Sequence, residues 1–470
     1  MSHIITDPFR QKLLLGAVSL GVVMDGVDGA IVNVALPTMA AYFDTDTGTI
    51  AWVIITYLLM MAGLMLVFGK FADRGLAKKI FLAGFGVFTV ASLACGLAPT
   101  LEILLAARLV QGAGAAMIAA VAPLLCVRHL PAGMLAMALG VLAATSSIGF
   151  AVGPAIGGIL TQYFSWHWIF LINIPIGIAG ILFAARVIPE DEPEERPAPF
   201  DYPGGVLLFM AMILFTFVLE EGLERGISDP LIAGCITLGI FSLVLFVLRE
   251  LTVESPLINI RIFLSGTFSA VLVAYMLMNV VFMGIIYLLP FYLTTMMGYD
   301  PAATGLCLLI PPAVIALLSI PFGKWSDRSG RRAFAVAATG VIIVYSFLFA
   351  FLVPESGILP LLAGLILIGT SVGIFSGPAA SRVIENAPPG EEGTGSSLMV
   401  TIIYFGAVLG TAIYAAIFTI TTMQSGVIVP FADLDETAFL SGFHLTAAAG
   451  IGLGALALVL SAVVPDRKKV

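Results

Sequence analysis

Apolar residues fill this chain in long runs, each about as long as the roughly 20-residue helix that crosses the hydrocarbon core of a bilayer. Fourteen such runs stand between breaks made by charge, Pro or Gly. They cover 13–36, 49–68, 80–98, 101–127, 135–160 and 166–188, then 206–219 and 231–248, and finally 268–289, 303–322, 333–353, 358–380, 396–420 and 442–464. The pattern predicts an all-α polytopic membrane protein with an even number of spans. Lys and Arg sharpen it, because short cytoplasmic loops are enriched in them. Of the 21 basic residues, Arg225 alone falls in an outer loop and Arg108 alone deep inside a span, which places both termini in the cytoplasm.

Composition removes the other classes. The 470 residues are 60% hydrophobic and 11% charged, far from a soluble domain. "MSHIITDPFRQK" opens like a secretory leader, but the run after it holds two acids and no small-residue cleavage site, so it reads as a retained first helix. Cys95, Cys126, Cys235 and Cys307 lie far apart in apolar runs, which suits neither a disulfide framework nor a metal site. The net charge of -8 gives no nucleic-acid signal. Much of the acid sits in "PEDEPEERPAPFD", 189–201, read as a solvated connector.

The chain also repeats itself. "GKFADRGLAKK" (69–79) follows span 2 and "GKWSDRSGRR" (323–332) follows span 10. Copies eight spans apart predict two six-helix halves, 1–188 and 267–470, around a connector with two inserted helices at 189–266. In each loop an aspartate, Asp73 or Asp327, is placed to cap a helix N-terminus or pair with an arginine. Gly69, Asp73, Arg74, Gly323, Asp327, Arg328, Gly330 and Arg331 are therefore expected to form a conformational latch. The plainer alternative is that the basic loops only set topology.

With these segments in view, the chain resembles the major facilitator superfamily, and specifically its fourteen-helix drug:proton antiporter branch, over essentially its full length. "GKWSDRSGRR" is similar to the superfamily's loop signature. "LLAARLVQGAGAA" (104–116) resembles its helix-4 motif, with Arg108, Gln111 and Gly112 on matching positions. "GFAVGPAIGG" (149–158) matches the antiporter motif of helix 5, and "VDGAIVNVALP" (27–37) resembles the branch's helix-1 signature, with Asp28 on its aspartate. The chain departs from the pattern at Leu76 and Ala77, where glycine and a basic residue are usual, and at His167, where arginine is common. Asp25 is an extra acid outside the signature.

An ionisable side chain in hydrocarbon costs about 2.5–3.5 kcal/mol on insertion scales, so each one is a functional candidate. Asp25 and Asp28 are three residues apart and share a helix face, with Gly26 and Gly29 permitting close approach of a neighbour. Asp28 is read as the main protonation site and cation contact, with Asp25 secondary. Two alternatives stand beside that reading: Asp28 as a permanently protonated hydrogen-bonding group, and Asp25 as a merely hydrated one. Arg108 must be paired or hydrated; the resemblance implies that it influences proton release from the helix-1 acid, and a structural bond to backbone carbonyls is the alternative. Gly149, Gly153, Gly157 and Gly158 form a small-residue ridge, expected to pack across the boundary between halves, with Pro154 bending the helix.

Cargo contacts are expected from Asn33, Tyr57, Gln111, Trp168 and Asn173 in the first half and Tyr275, Met276, Met278, Asn279, Met283, Tyr287 and Tyr404 in the second. Met and aromatic side chains adapt to varied apolar ligands, and a carboxylate favours cations. The expected function is proton-coupled efflux of lipophilic, cationic drugs or dyes from a protein working as a monomer in the cytoplasmic membrane, with no cofactor or metal. A dedicated exporter or uniporter of one endogenous metabolite or antibiotic is the alternative. A membrane enzyme is the rival from another class: Asp25-x-x-Asp28 resembles half of a magnesium-diphosphate site, but no second acidic cluster, nucleophile elbow or P-loop accompanies it.

Overall fold

The computed structural model describes residues 4–191, 201–226, 228–253, 256–388, 392–423 and 428–465; the side chains of Asp73, Asp327 and several other helical residues fall outside the description. Among the described residues there is no strand, and fourteen helices are long and apolar enough to cross a membrane. They are α1 (Pro8–Tyr42), α2 (Thr47–Phe71), α3 (Ala77–Gly96), α4 (Leu101–His129), α5 (Leu135–Tyr163), α6 (Trp168–Val187), α7 (Tyr202–Arg225), α8 (Pro230–Glu250), α9 (Gly266–Thr295), α10 (Pro301–Ser326), α11 (Arg331–Ala350), α12 (Ile358–Asn386), α13 (Glu392–Thr422) and α14 (Glu436–Val463).

Every expected span is present, and most run several residues past the apolar stretch, because a helix continues until a cap or breaker satisfies its terminal amides. The caps are acidic where a helix begins: Asp46 accepts from Gly48 and Thr49 N–H before α2, Asp229 from Leu231 before α8, Asp300 from Ala303 before α10, and Asp435 from Ala438 before α14. Asp7 does the same for Phe9 N–H at the start of α1. A carboxylate there completes the first turn and complements the positive end of the helix dipole.

The chain divides into two compact units, Met1–Ala35 with Trp52–Asp201, and Leu36–Ala51 with Tyr202–Val470. In the first, α3 and α4 are closely packed through facing glycines: a Cβ on Gly114 would lie 2.6 Å from Phe88 N, and one on Gly84 would lie 3.0 Å from Gly114 O. The helix-5 ridge lies against α1 of this same unit, a correction to its expected place at the boundary between halves. Gly149, Gly153 and Gly157 meet the carbonyls of Val23, Val27 and Ile31, where added Cβ atoms would sit at 2.7, 2.9 and 2.6 Å. Both rows advance by four residues, so the glycine stripe matches one carbonyl row of α1, turn for turn. Gly158 and Pro154 are buried beside them.

In the second unit α9 is the central element, with nearly every residue inward of Ser269 buried. It packs on α13 and α14, while α10 lies on α12 and α11 on both α12 and α14. The inserted helices α7 and α8 pair with each other, and α7 packs on α13, which is why they cluster with this unit. Arg382, read from the sequence as a loop residue, lies inside α12 and is buried; its guanidinium donates to Val464 O at 2.6 Å and to Ser461 O at 3.4 Å. A cation placed on the last carbonyls of α14 ties the final helix down and complements its dipole.

The α1–α5 contact leaves no room for a side chain. Replacing Gly149 or Gly157 by Leu should cost about 1–3 kcal/mol through overpacking, seen as a lower melting temperature of the purified protein. An unchanged melting temperature would show that the two backbones are not in contact.

Candidate functional site

α4 carries the base and α1 the acids, and glycine decides how close they come. A Cβ at Gly112 would meet Tyr57 O of α2 at 2.6 Å, so α4 crosses α2 with almost nothing between the backbones. That brings Arg108, one turn earlier, over the Tyr57 ring at 4.2 Å, with the Phe170 ring of α6 at 5.6 Å. Arg108 Nε donates to Val53 O at 2.9 Å, and Nη1 donates to Asp28 Oδ2 at 2.7 Å and to Gln111 Oε1 at 2.7 Å. Arg108 thus pairs with the helix-1 acid and also bonds a backbone carbonyl.

Asp28 is wholly buried and fully engaged. Besides Arg108, its Oδ1 accepts from Gln111 Nε2 and from Asn173 Nδ2, each at 2.9 Å. Gln111 also donates to Ser92 Oγ, and the Cys95 thiol lies 3.5 Å from its carbonyl oxygen. Five helices thus contribute to one polar knot: α1, α2, α3, α4 and α6. Charge-assisted, multiply bonded pairs of this kind are short and orientationally fixed. Removing one partner leaves an uncompensated buried charge and costs about 3–5 kcal/mol. Ser92 was not singled out from the sequence, and Cys95 was weighed there only for a disulfide or a metal site; a small polar residue in an apolar helix is a weak signal without its partner.

Asp25 differs. It is half-buried, and among the described residues its carboxylate takes one hydrogen bond, from the Tyr57 hydroxyl at 2.7 Å. Asn33 is buried and bonds weakly back to Gly29 O and Ala30 O at 3.5 Å, its Oδ1 having no partner in the described structure. Trp168, at the start of α6, is exposed. His167 stacks on Trp166 at 3.8 Å, and partial burial lowers its pKa below the usual imidazole value, which favours the neutral ring.

The second unit's expected cargo residues are more enclosed. Met278 is buried, Tyr275 stacks on Phe375 at 5.4 Å, and Asn279 Nδ2 donates to Tyr275 O at 2.8 Å. Tyr287 is completely buried and donates to Thr47 O. Met283 is buried, and Met276 and Tyr404 are partly exposed.

The repeated loops are built differently from one another. After α2 the chain makes a wide turn at 72–76 with Gly75 at φ 81°, and the Arg74 guanidinium carbon lies 5.7 Å from the Phe71 ring. Between α10 and α11, Gly330 has φ 96°, a conformation that favours glycine, Arg328 is exposed and Arg331 pairs with Glu385. Gly69 and Gly323 border open space. The side chains of Asp73 and Asp327 lie outside the described residues, but the α3 N-terminus next to the first loop is capped by Asp191, whose two oxygens accept from Lys78 N at 2.8 Å and Lys79 N at 2.9 Å. Lys78 Nζ pairs with Glu190 at 2.7 Å. The start of the acidic connector, read from the sequence as merely solvated, is thus a clamp on α3.

A family model described as Major Facilitator Superfamily matches residues 18–411. The chain is 32% identical to riboflavin transporter RibZ of Clostridioides difficile (strain 630) over 410 residues, covering 87% of this chain and 89% of that protein. It is 31% identical to putative multidrug resistance protein MdtD of Pectobacterium atrosepticum over 410 residues, 87% of each chain. Its fold matches that of a bacterial homolog to human lysosomal transporter Spinster, with a TM-score of 0.70 at 16% identity over 98% of both chains.

The clamp on α3 has a pH signature. The hydrogen bond and charge of Lys78 hold Glu190 below its ordinary value of 4.5, so the stability it adds is present above pH 4.5 and lost as pH falls through the lower folded value. Asp191→Ala should lower the melting temperature by the equivalent of about 0.5–2 kcal/mol, the value of an N-cap. Glu190→Gln should remove only the acid-dependent part. Equal melting curves for wild type and Asp191→Ala would contradict the cap.

Proposed function

Because this chain belongs to the Major Facilitator Superfamily, and is a multi-pass membrane transporter rather than an enzyme, we propose that it exports lipophilic cations in exchange for protons. One observation carries the reading. Two carboxylates, Asp25 and Asp28, share a cluster with one guanidinium, Arg108, so with both acids ionised the sum is 1 − 2 = −1. A net charge among apolar helices is costly, and a proton or a cationic cargo relieves it equally well. Competition of two positive species for one negative site is the elementary step of an antiport.

Cargo chemistry follows from the same place. Within the first unit, the Tyr57 ring and Asn33 give an adaptable contact set beside a negative centre. The relative named for multidrug resistance supports such a cargo. The two Gly-x-x-x-Asp-Arg loops act as latches in alternating access, and the loop distribution of Lys and Arg puts both termini in the cytoplasm. A second reading, a dedicated transporter of one metabolite, is favoured by the similarity to a riboflavin transporter. Riboflavin is neutral and has no use for a surplus negative charge.

The full-length protein in liposomes distinguishes the two. An inward-directed proton gradient should drive efflux of ethidium or tetraphenylphosphonium and leave neutral and anionic dyes unmoved. Flux of riboflavin alone, insensitive to the gradient, would replace the antiport reading with the second one.

A further inference from the structure

We propose that Asp25, not the signature residue Asp28, is the carboxylate that trades its proton for cationic cargo, with Tyr57 as its positioning residue; this rests on the antiport reading above. The two acids are a turn apart on α1 and live in opposite circumstances. Asp28 is closed on all sides, accepting from Arg108, Gln111 and Asn173. To take a proton it would have to release a guanidinium that does not deprotonate in proteins, leaving that cation unpaired in the bundle. To bind a cargo cation it would have to accept a second positive group where no space is left.

Asp25 meets neither obstacle. Its one hydrogen bond among the described residues comes from a neutral hydroxyl, and it is half-buried. The face of α1 that it shares with Gly29, one turn on, is open, since a Cβ on Gly29 would meet nothing within 4 Å. The neighbouring face is closed, because Gly26 touches Ser146 O of α5. The ionisable groups around Asp25 are few: Tyr57 from α2, Asp28 on its own helix, and Arg108 from α4 beyond the Tyr57 ring. α5 supplies only backbone here, having no ionisable side chain before Tyr163. With Arg108 committed to Asp28, the surplus charge belongs to Asp25.

The exchange then balances. Ionised Asp25 holds one monovalent cation; a proton arriving from the other side neutralises the carboxylate and releases that cation, so one positive charge enters as one leaves. Tyr57 is the link to the rest of the bundle. Its hydroxyl donates to Asp25, and its ring lies under Arg108, so loss of the charged acceptor is felt at the fixed pair.

The test uses the full-length protein and tetraphenylphosphonium, read both as binding in detergent across pH and as gradient-driven flux in liposomes. Wild type should bind the cation less well on acidification. Asp25→Asn should keep the wild-type melting temperature, since the amide can still accept from Tyr57, yet bind weakly with no pH dependence and lose driven flux. Asp25→Glu should restore both, and Tyr57→Phe should retain binding with a displaced pH midpoint. A wild-type pH profile in Asp25→Asn overturns the assignment. Absence of driven flux in wild type overturns the antiport reading instead, and the binding profile of Asp25→Asn still decides Asp25.

Discussion

The bond between Arg108 and Asp28 constrains the first unit more than any other contact. Each ion alone in an apolar bundle would be costly, and together, with Gln111, Asn173 and the Val53 carbonyl, they are satisfied. Satisfying them demands proximity. The α4 backbone must come within reach of α2, which Gly112 permits, and lie on α3, which Gly114 and Gly84 permit. α5 then covers the far side of α1 through its own glycines. Small residues appear wherever backbones must close around the pair, so the motifs of helices 1, 4 and 5 read as one packing problem.

A fixed pair also gives the second acid its meaning. If Asp28 stayed unpaired, two carboxylates would share whatever proton or cation arrived, and neither would have a defined task. With Asp28 spent on Arg108, Asp25 is left with a hydroxyl partner and an open face. The family signature marks the residue that builds the site, while the exchangeable charge we propose lies on the residue outside the signature.

Much of this was legible in the sequence because the bilayer imposes a length. The fourteen spans were readable from apolar runs, and the need to pair Arg108 followed from its being the lone base deep within a span as read. What escaped depended on which faces meet. The glycine ridge of α5 could be recognised, but its spacing alone does not say which helix it touches. Arg382 looked like a loop residue until α12 proved to run on to Asn386 and bury it. Asp191 and Glu190 lay in an acidic run whose composition suggests solvent, and their bonds to α3 join positions over a hundred residues apart. The balance between Asp25 and Asp28 was likewise invisible, because it depends on Asn173 and Gln111 arriving from other helices.

The most direct measurement is a double-mutant cycle on the buried pair, with Asp28→Asn, Arg108→Gln and the double variant compared by thermal unfolding in detergent. Each single change should be severely destabilising, and the double variant should recover much of the loss, giving a coupling of about 3 kcal/mol or more. Additive losses would mean that the two charges do not depend on each other, and the centre described here would not exist.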